Sequence, residues 1–141
     1  LEELIHKQSG GNLSVARESQ FNIKAWIVSI VGGDFPKGYF EFLNAKNINT
    51  EGIEIVEQGK TFFWSGKYHN ELNSRDTLVT ELNVLADFNP VVPAEFQNTD
   101  FLMLGNLHPA VQMAVINQIP KRPKLVVLDT MNFWMDNTMD E

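Results

Sequence analysis

The sequence predicts an α/β fold: a parallel central sheet with an antiparallel β flap inserted into it. Two observations predict the parallel part. Residues 25–31, Phe101–Leu104 and Leu125–Leu128 are continuous apolar runs, the pattern of strands buried on both faces, and a helix-patterned segment joins the last two. The third observation is a change of period. From Gly52 the chain alternates apolar and polar residues, as an antiparallel hairpin with one wet face does.

Each element has its own local reason. After the first run, Asp34 is suited to cap a helix, Pro36 is tolerated in a first turn, and Tyr39, Phe40 and Leu43 form an apolar stripe. Within 52–85, Ile53 and Ile55 interleave with Glu54, and Gln58-Gly59 offers a hairpin turn before the aromatic strand Thr61-Phe62-Phe63-Trp64. Residues 69–76 are polar and loop-like, and 77–85 suit a further strand or a short helix. In 109–119, Val111, Ala114, Val115 and Ile119 recur at near-helical spacing, with Pro120 and Pro123 as stop signals. Strand, crossover helix and strand then follow one another in the order a parallel pair requires.

Composition narrows the function. The 141 residues are 43% hydrophobic and 21% charged, the balance of one globular domain, and we treat 1–141 as a single domain. Eleven basic residues against 18 acidic ones leave a net charge of −7, which repels nucleic-acid phosphates and anionic membrane surfaces. Without cysteine there is no disulfide, thiolate metal site or cysteine nucleophile. Apolar runs too short for a bilayer and a Leu-Glu-Glu start unlike a signal peptide give a cytoplasmic reading. The chain has no initiator Met and reads as a piece of something longer.

Several motifs fail on their spacing. Gly59-Lys60-Thr61 lacks the glycine five positions before the Gly-Lys pair that a phosphate loop needs, because position 54 is Glu. His6, His69 and His108 form no HxH or HExxH pair, so no metal ligands are assigned. No G-x-S-x-G elbow is present. Gly10-Gly11-Asn12 fits a close backbone approach to a ligand with an Asn offering donors and an acceptor to hydroxyls, although such a triplet taken alone is more often a turn with its capping residue. Gly32-Gly33-Asp34 suits a ligand loop after a strand, or a tight turn with an Asp cap. Asn106 and Asp129 follow two predicted parallel strands, at the edge where open α/β sheets bind ligands. Trp134 is expected in the core.

Taken in order, these pieces resemble the PfkB, or ribokinase-like, family of carbohydrate kinases. The resemblance is carried by Gly10-Gly11-Asn12 with Ala16, by Val31-Gly32-Gly33-Asp34-Phe35-Pro36-Lys37-Gly38, by 47–52 leading into flap strands, and by the strands ending at Asn106 and Asp129. It implies a partial ribokinase-like three-layer fold with the flap, about 52–85, as a lid. It implies transfer of the ATP γ-phosphoryl to a hydroxyl of a sugar or nucleoside, with magnesium, under a lid that excludes water. It makes Gly10, Gly11 and Asn12 substrate contacts and Asn106 a further lining residue. Phe62 and Trp64 then stack on the substrate, or form a flap core or a homodimer contact.

The family's opening strand is not recognisable before Gly10. Its C-terminal half, which carries the general-base Asp, the anion hole and the ATP pocket, has no counterpart in these residues. No catalytic residue is therefore assigned, and these 141 residues alone are expected to be inactive. The rival expectation is a non-catalytic module that binds a small polyhydroxy ligand or self-associates through its flap.

Overall fold

A computed structural model of the chain describes residues 5–9, 25–70 and 74–138. It is a mixed α/β structure whose strands fall into three small sheets, two parallel pairs and one antiparallel trio. The chain divides into two compact units, Leu1–Phe88 and Asn89–Glu141.

In the first unit, β1 (Ile5–Ser9), β2 (Ala25–Gly32), α1 (Lys37–Ala45), β3 (Ile48–Val56), β4 (Phe63–Tyr68) and β5 (Arg75–Glu81) follow in order, with a 3-10 turn at Asn83–Asp87. The predicted first strand is β2. It pairs in parallel with β3, from Ala25 opposite Ile48 to Gly32 opposite Val56, with a one-residue register shift between Trp26 and Val28. The reason is packing: β-branched Ile27 and Ile48, the latter only 1% exposed, form a core against which Leu43 of α1 and Ile53 pack. Of the expected helical stripe, Leu43 reaches that core, whereas Tyr39 is exposed and Phe35 sits against the rings of Tyr39 and Phe40 at 5.5 and 5.3 Å. The helix ends at Ala45 with Lys46 as its C-cap, and the next residue, Asn47, takes the left-handed conformation with φ 59°, which Asn tolerates better than most residues.

Three expectations need correction here. Asp34 does not cap α1; Pro36 occupies the N-cap position without a side-chain bond, because the Asp34 carboxylate is engaged by Thr61. The antiparallel region begins at Phe63 rather than Gly52, since residues 52–56 belong to the parallel strand β3. The Gln58-Gly59 turn, closed by Gly59 N–H donating to Val56 O at 2.9 Å, joins strands of two different sheets and is not a hairpin turn. Both alternatives for 77–85 occur in succession, a strand to Glu81 and then the 3-10 turn.

The antiparallel sheet has the order β1-β4-β5. Ser9 pairs with Phe63 and Ile5 with Lys67, while Phe63 pairs with Glu81 and Tyr68 with Arg75. Trp64 is held across this sheet by the Arg75 guanidinium, 5.6 Å from its ring, and its indole N–H donates to Thr77 Oγ1 at 3.4 Å.

The second unit contains a 3-10 turn at Ala94–Phe96, then β6 (Phe101–Leu104), α2 (Pro109–Ile116), β7 (Leu125–Leu128) and α3 (Asn132–Asn137). β6 and β7 are parallel neighbours, Phe101 opposite Leu125 and Leu104 opposite Leu128, with α2 as the crossover. Gln118 ties the loop to the helix: its amide donates to Pro90 O and Ala114 O, and its Oε1 accepts from Val92 N.

Each unit thus contains one parallel pair, built from strands that a short crossover helix makes sequential neighbours. Burial on both faces holds for neither strand of the second pair. Only Leu104 of β6 is buried, and β7 is exposed along its length, because two strands leave faces and an edge uncovered. Trp134 is half-buried rather than core. No helix among the described residues is long and apolar enough to cross a membrane.

Candidate functional site

The best-defined site lies where β2 ends. Gly32 and Gly33 let the chain turn directly against the Glu57–Thr61 segment: a Cβ on Gly32 would fall inside the backbone of Gly59, Lys60 and Thr61, and one on Gly33 inside that of Glu57. Without side chains in the way, the Gly33 amide donates to Val56 O and Gly59 O at 3.0 and 3.2 Å. The Gly32 amide donates to Thr61 Oγ1 at 3.0 Å. Thr61 in turn donates twice to Asp34 Oδ1, from its amide and its hydroxyl, both at 2.7 Å. These short bonds to an ionised acceptor hold the Asp34 carboxyl below its ordinary value of 3.8; the Thr61 hydroxyl contributes most, then the Thr61 amide, with Lys60 adding a smaller attraction.

A second chain crossing completes the arrangement. Asn83 Nδ2 donates to Thr61 O at 2.9 Å, and the Val84 amide donates to Lys60 O at 3.1 Å. Asn83 takes φ 50°, so its side chain folds back on the strand connection it caps. The two glycine motifs that the sequence offers as separate candidates are therefore two halves of one clasp.

Beside the clasp is a cleft of about 380 Å³, open to solvent. Its polar lining comes from Asp34, Lys60, Thr61, Glu81 and Asn83, and its apolar walls from Phe35, Pro36, Phe62 and Phe63. Such a lining offers two carboxylates that can accept hydrogen bonds from hydroxyls, a lysine that can donate, and phenyl faces suited to the apolar side of a small ligand. Thr61 stands in the Gly59-Lys60-Thr61 motif, and the signal for its role is the pairing of that motif with Gly32-Gly33-Asp34, 27 residues before it. Glu81 and Asn83 carry no motif that marks them in the sequence.

In the second unit, Asn106 and Asp129 follow neighbouring parallel strands, as expected. Gln112 of α2, only 6% exposed, bridges the two strand ends: its amide donates to Gly105 O at 2.7 Å and to Asp129 O at 3.1 Å. Asn106 is exposed, and its Oδ1 accepts the Trp134 indole N–H at 2.9 Å. Trp134 also meets His108 and Phe133 edge-on, and His108 Nδ1 accepts the Ala110 amide at the start of α2.

Gly10, Gly11 and Asn12 lie outside the described residues. Phe62 lines the cleft, whereas Trp64 is engaged with Arg75 on the sheet. Among the described residues no three His, Asp or Glu side chains gather to hold a metal ion. No protein-family model and no curated protein matches the chain.

Proposed function

We propose that the chain is the acceptor-binding half of an ATP-dependent carbohydrate or nucleoside kinase of the PfkB type, with the β1-β4-β5 sheet as its lid. The observation that carries the reading is the register of β1. Ser9 pairs with Phe63, a wall of the cleft, and is followed in the sequence by Gly10, Gly11 and Asn12, the residues that resemble the family's sugar contacts. The cleft supplies what an acceptor needs, carboxylates for hydroxyls and apolar walls for a ring face. Closure over it excludes the water that competes for a phosphoryl group.

ATP and magnesium supply the transferable phosphoryl and its charge neutralisation. The role proposed for the described residues is to bind and enclose the acceptor. The reading places the protein in the cytoplasm, where ATP is made available to such enzymes.

The test uses the complete gene product with ATP, magnesium and a panel of sugars and nucleosides, following ADP release and melting temperature. One acceptor should give turnover and raise the melting temperature, and the 141-residue chain should give no turnover. A full panel without turnover or shift would sink the reading. A non-catalytic, self-associating module is the second reading. It is favoured by β5, an edge strand exposed along its length with Leu78 and Val79 open to solvent, the kind of edge that pairs with another copy.

A further inference from the structure

The strand connections that bracket β4 and β5 pass through one point. The chain enters β4 through Lys60 and Thr61 and leaves β5 through Asn83 and Val84, and these two crossings are hydrogen-bonded to each other. The antiparallel sheet shares no strand ladder with the β2–β3 pair. What joins Thr61 to the end of β2 is the clasp, through the Gly32 amide and the Asp34 carboxylate.

We infer that Thr61 is the pivot of a lid: the β1–β4–β5 sheet moves as one body about it, and Asp34 and Asn83 are positioning residues that hold the pivot to β2 and to the outgoing chain. Among the described residues these two bodies share no ladder and are stitched through Gly59–Thr61 and Asn83–Val84, with Thr61 taking most of the bonds; that is the geometry of a hinge, where a few element-terminal positions absorb the motion. Asn83 is suited to the task because its left-handed φ turns the chain while its side chain stays bonded to Thr61 O. The role of this pivot in acceptor binding rests on the kinase reading; the pivot itself rests on the bonds above.

Hydrogen exchange on the full-length protein tests it, comparing wild type with Thr61→Val, Thr61→Ser and Asn83→Gly. Thr61→Val keeps the shape and removes the hydroxyl. Asn83→Gly keeps the left-handed turn and removes only the side-chain bond. Both should speed exchange about tenfold in residues 5–9, 63–68 and 75–81 together, with 25–32 and 48–56 unchanged, and Thr61→Ser should restore protection. Unchanged exchange, separate responses of the three strands, or equal acceleration in β2 and β3 would overturn the pivot. Turnover separates the two ideas. A wild-type protein without turnover sinks the kinase reading while the exchange data still decide the pivot. With turnover present, acceptor KM should rise about tenfold in Thr61→Val and Asn83→Gly and recover in Thr61→Ser. Faster exchange beside an unchanged acceptor KM would overturn the positioning role.

Discussion

Thr61 and Asp34 meet through a single carboxylate oxygen: the amide and the hydroxyl of Thr61 both donate to Asp34 Oδ1 at 2.7 Å. The same hydroxyl accepts the Gly32 amide at 3.0 Å, so one side chain fastens the end of β2 to the approach to β4. An ionised acceptor makes such bonds shorter and stronger than neutral ones, which ties the clasp to pH.

Because the folded Asp34 carboxyl is held below 3.8, its ionised form is favoured by folding. The stabilisation is fully present above the unfolded value, about pH 4, and is lost as pH falls through the lower folded value. Thermal unfolding from pH 7 down to pH 2 should therefore fall less steeply in Asp34→Asn than in wild type. Parallel curves for the two proteins would show that the carboxylate charge contributes nothing.

Gly32→Ala forces a methyl group against the Gly59–Thr61 backbone, which has no flexible end to move aside. We expect a loss of about 1–3 kcal/mol in urea unfolding. Gly38→Ala is the control: its added methyl meets nothing within 4 Å, and in helix α1 it should gain up to about 1 kcal/mol. Equal effects at the two positions would refute the close approach at Gly32.

Gln112→Leu fills the same buried space but strips the donors from Gly105 O and Asp129 O. A loss of about 1–3 kcal/mol is expected by chemical denaturation, from carbonyls left short of partners. A neutral or stabilised Gln112→Leu protein would mean that the strand ends hold their positions unaided.

Trp134→Phe keeps an aromatic ring beside His108 and deletes the indole N–H that Asn106 accepts. Each of Trp134→Phe and Asn106→Ala should cost about 0.5–1.5 kcal/mol. In a double-mutant cycle the pair should cost less than the sum, since both changes remove one bond. Strict additivity would separate the two residues.

Three of the four parallel strands were legible because their signal is local. The runs at β2, β6 and β7 needed no partner to be seen, and Pro109 with the apolar spacing of α2 marked the crossover. What stayed hidden depends on distant pairing. β1, Ile-His-Lys-Gln-Ser, has no apolar run, and its partner β4 lies more than fifty residues on. The alternation from Gly52 reads as one wet face, which an antiparallel hairpin and an edge strand of a parallel pair share, and β3 is the latter. Asp34 has the residue type and position of a helix cap, yet Thr61 offers two donors instead of one. Of the cleft, Asp34 and Phe62 stand in motifs the sequence displays. Glu81 and Asn83 arrive there only because β5 returns beside β4.

β7 presents four consecutive aliphatic side chains to water, from 40% exposed at Val126 to 55% at Leu128. Ribbons of that kind on separate molecules attract one another at close range, and the main force keeping them apart is the repulsion of seven surplus negative charges. A solution of this chain should therefore cloud sooner as sodium chloride is raised past about 0.1 M, where the range of that repulsion shrinks to about 10 Å.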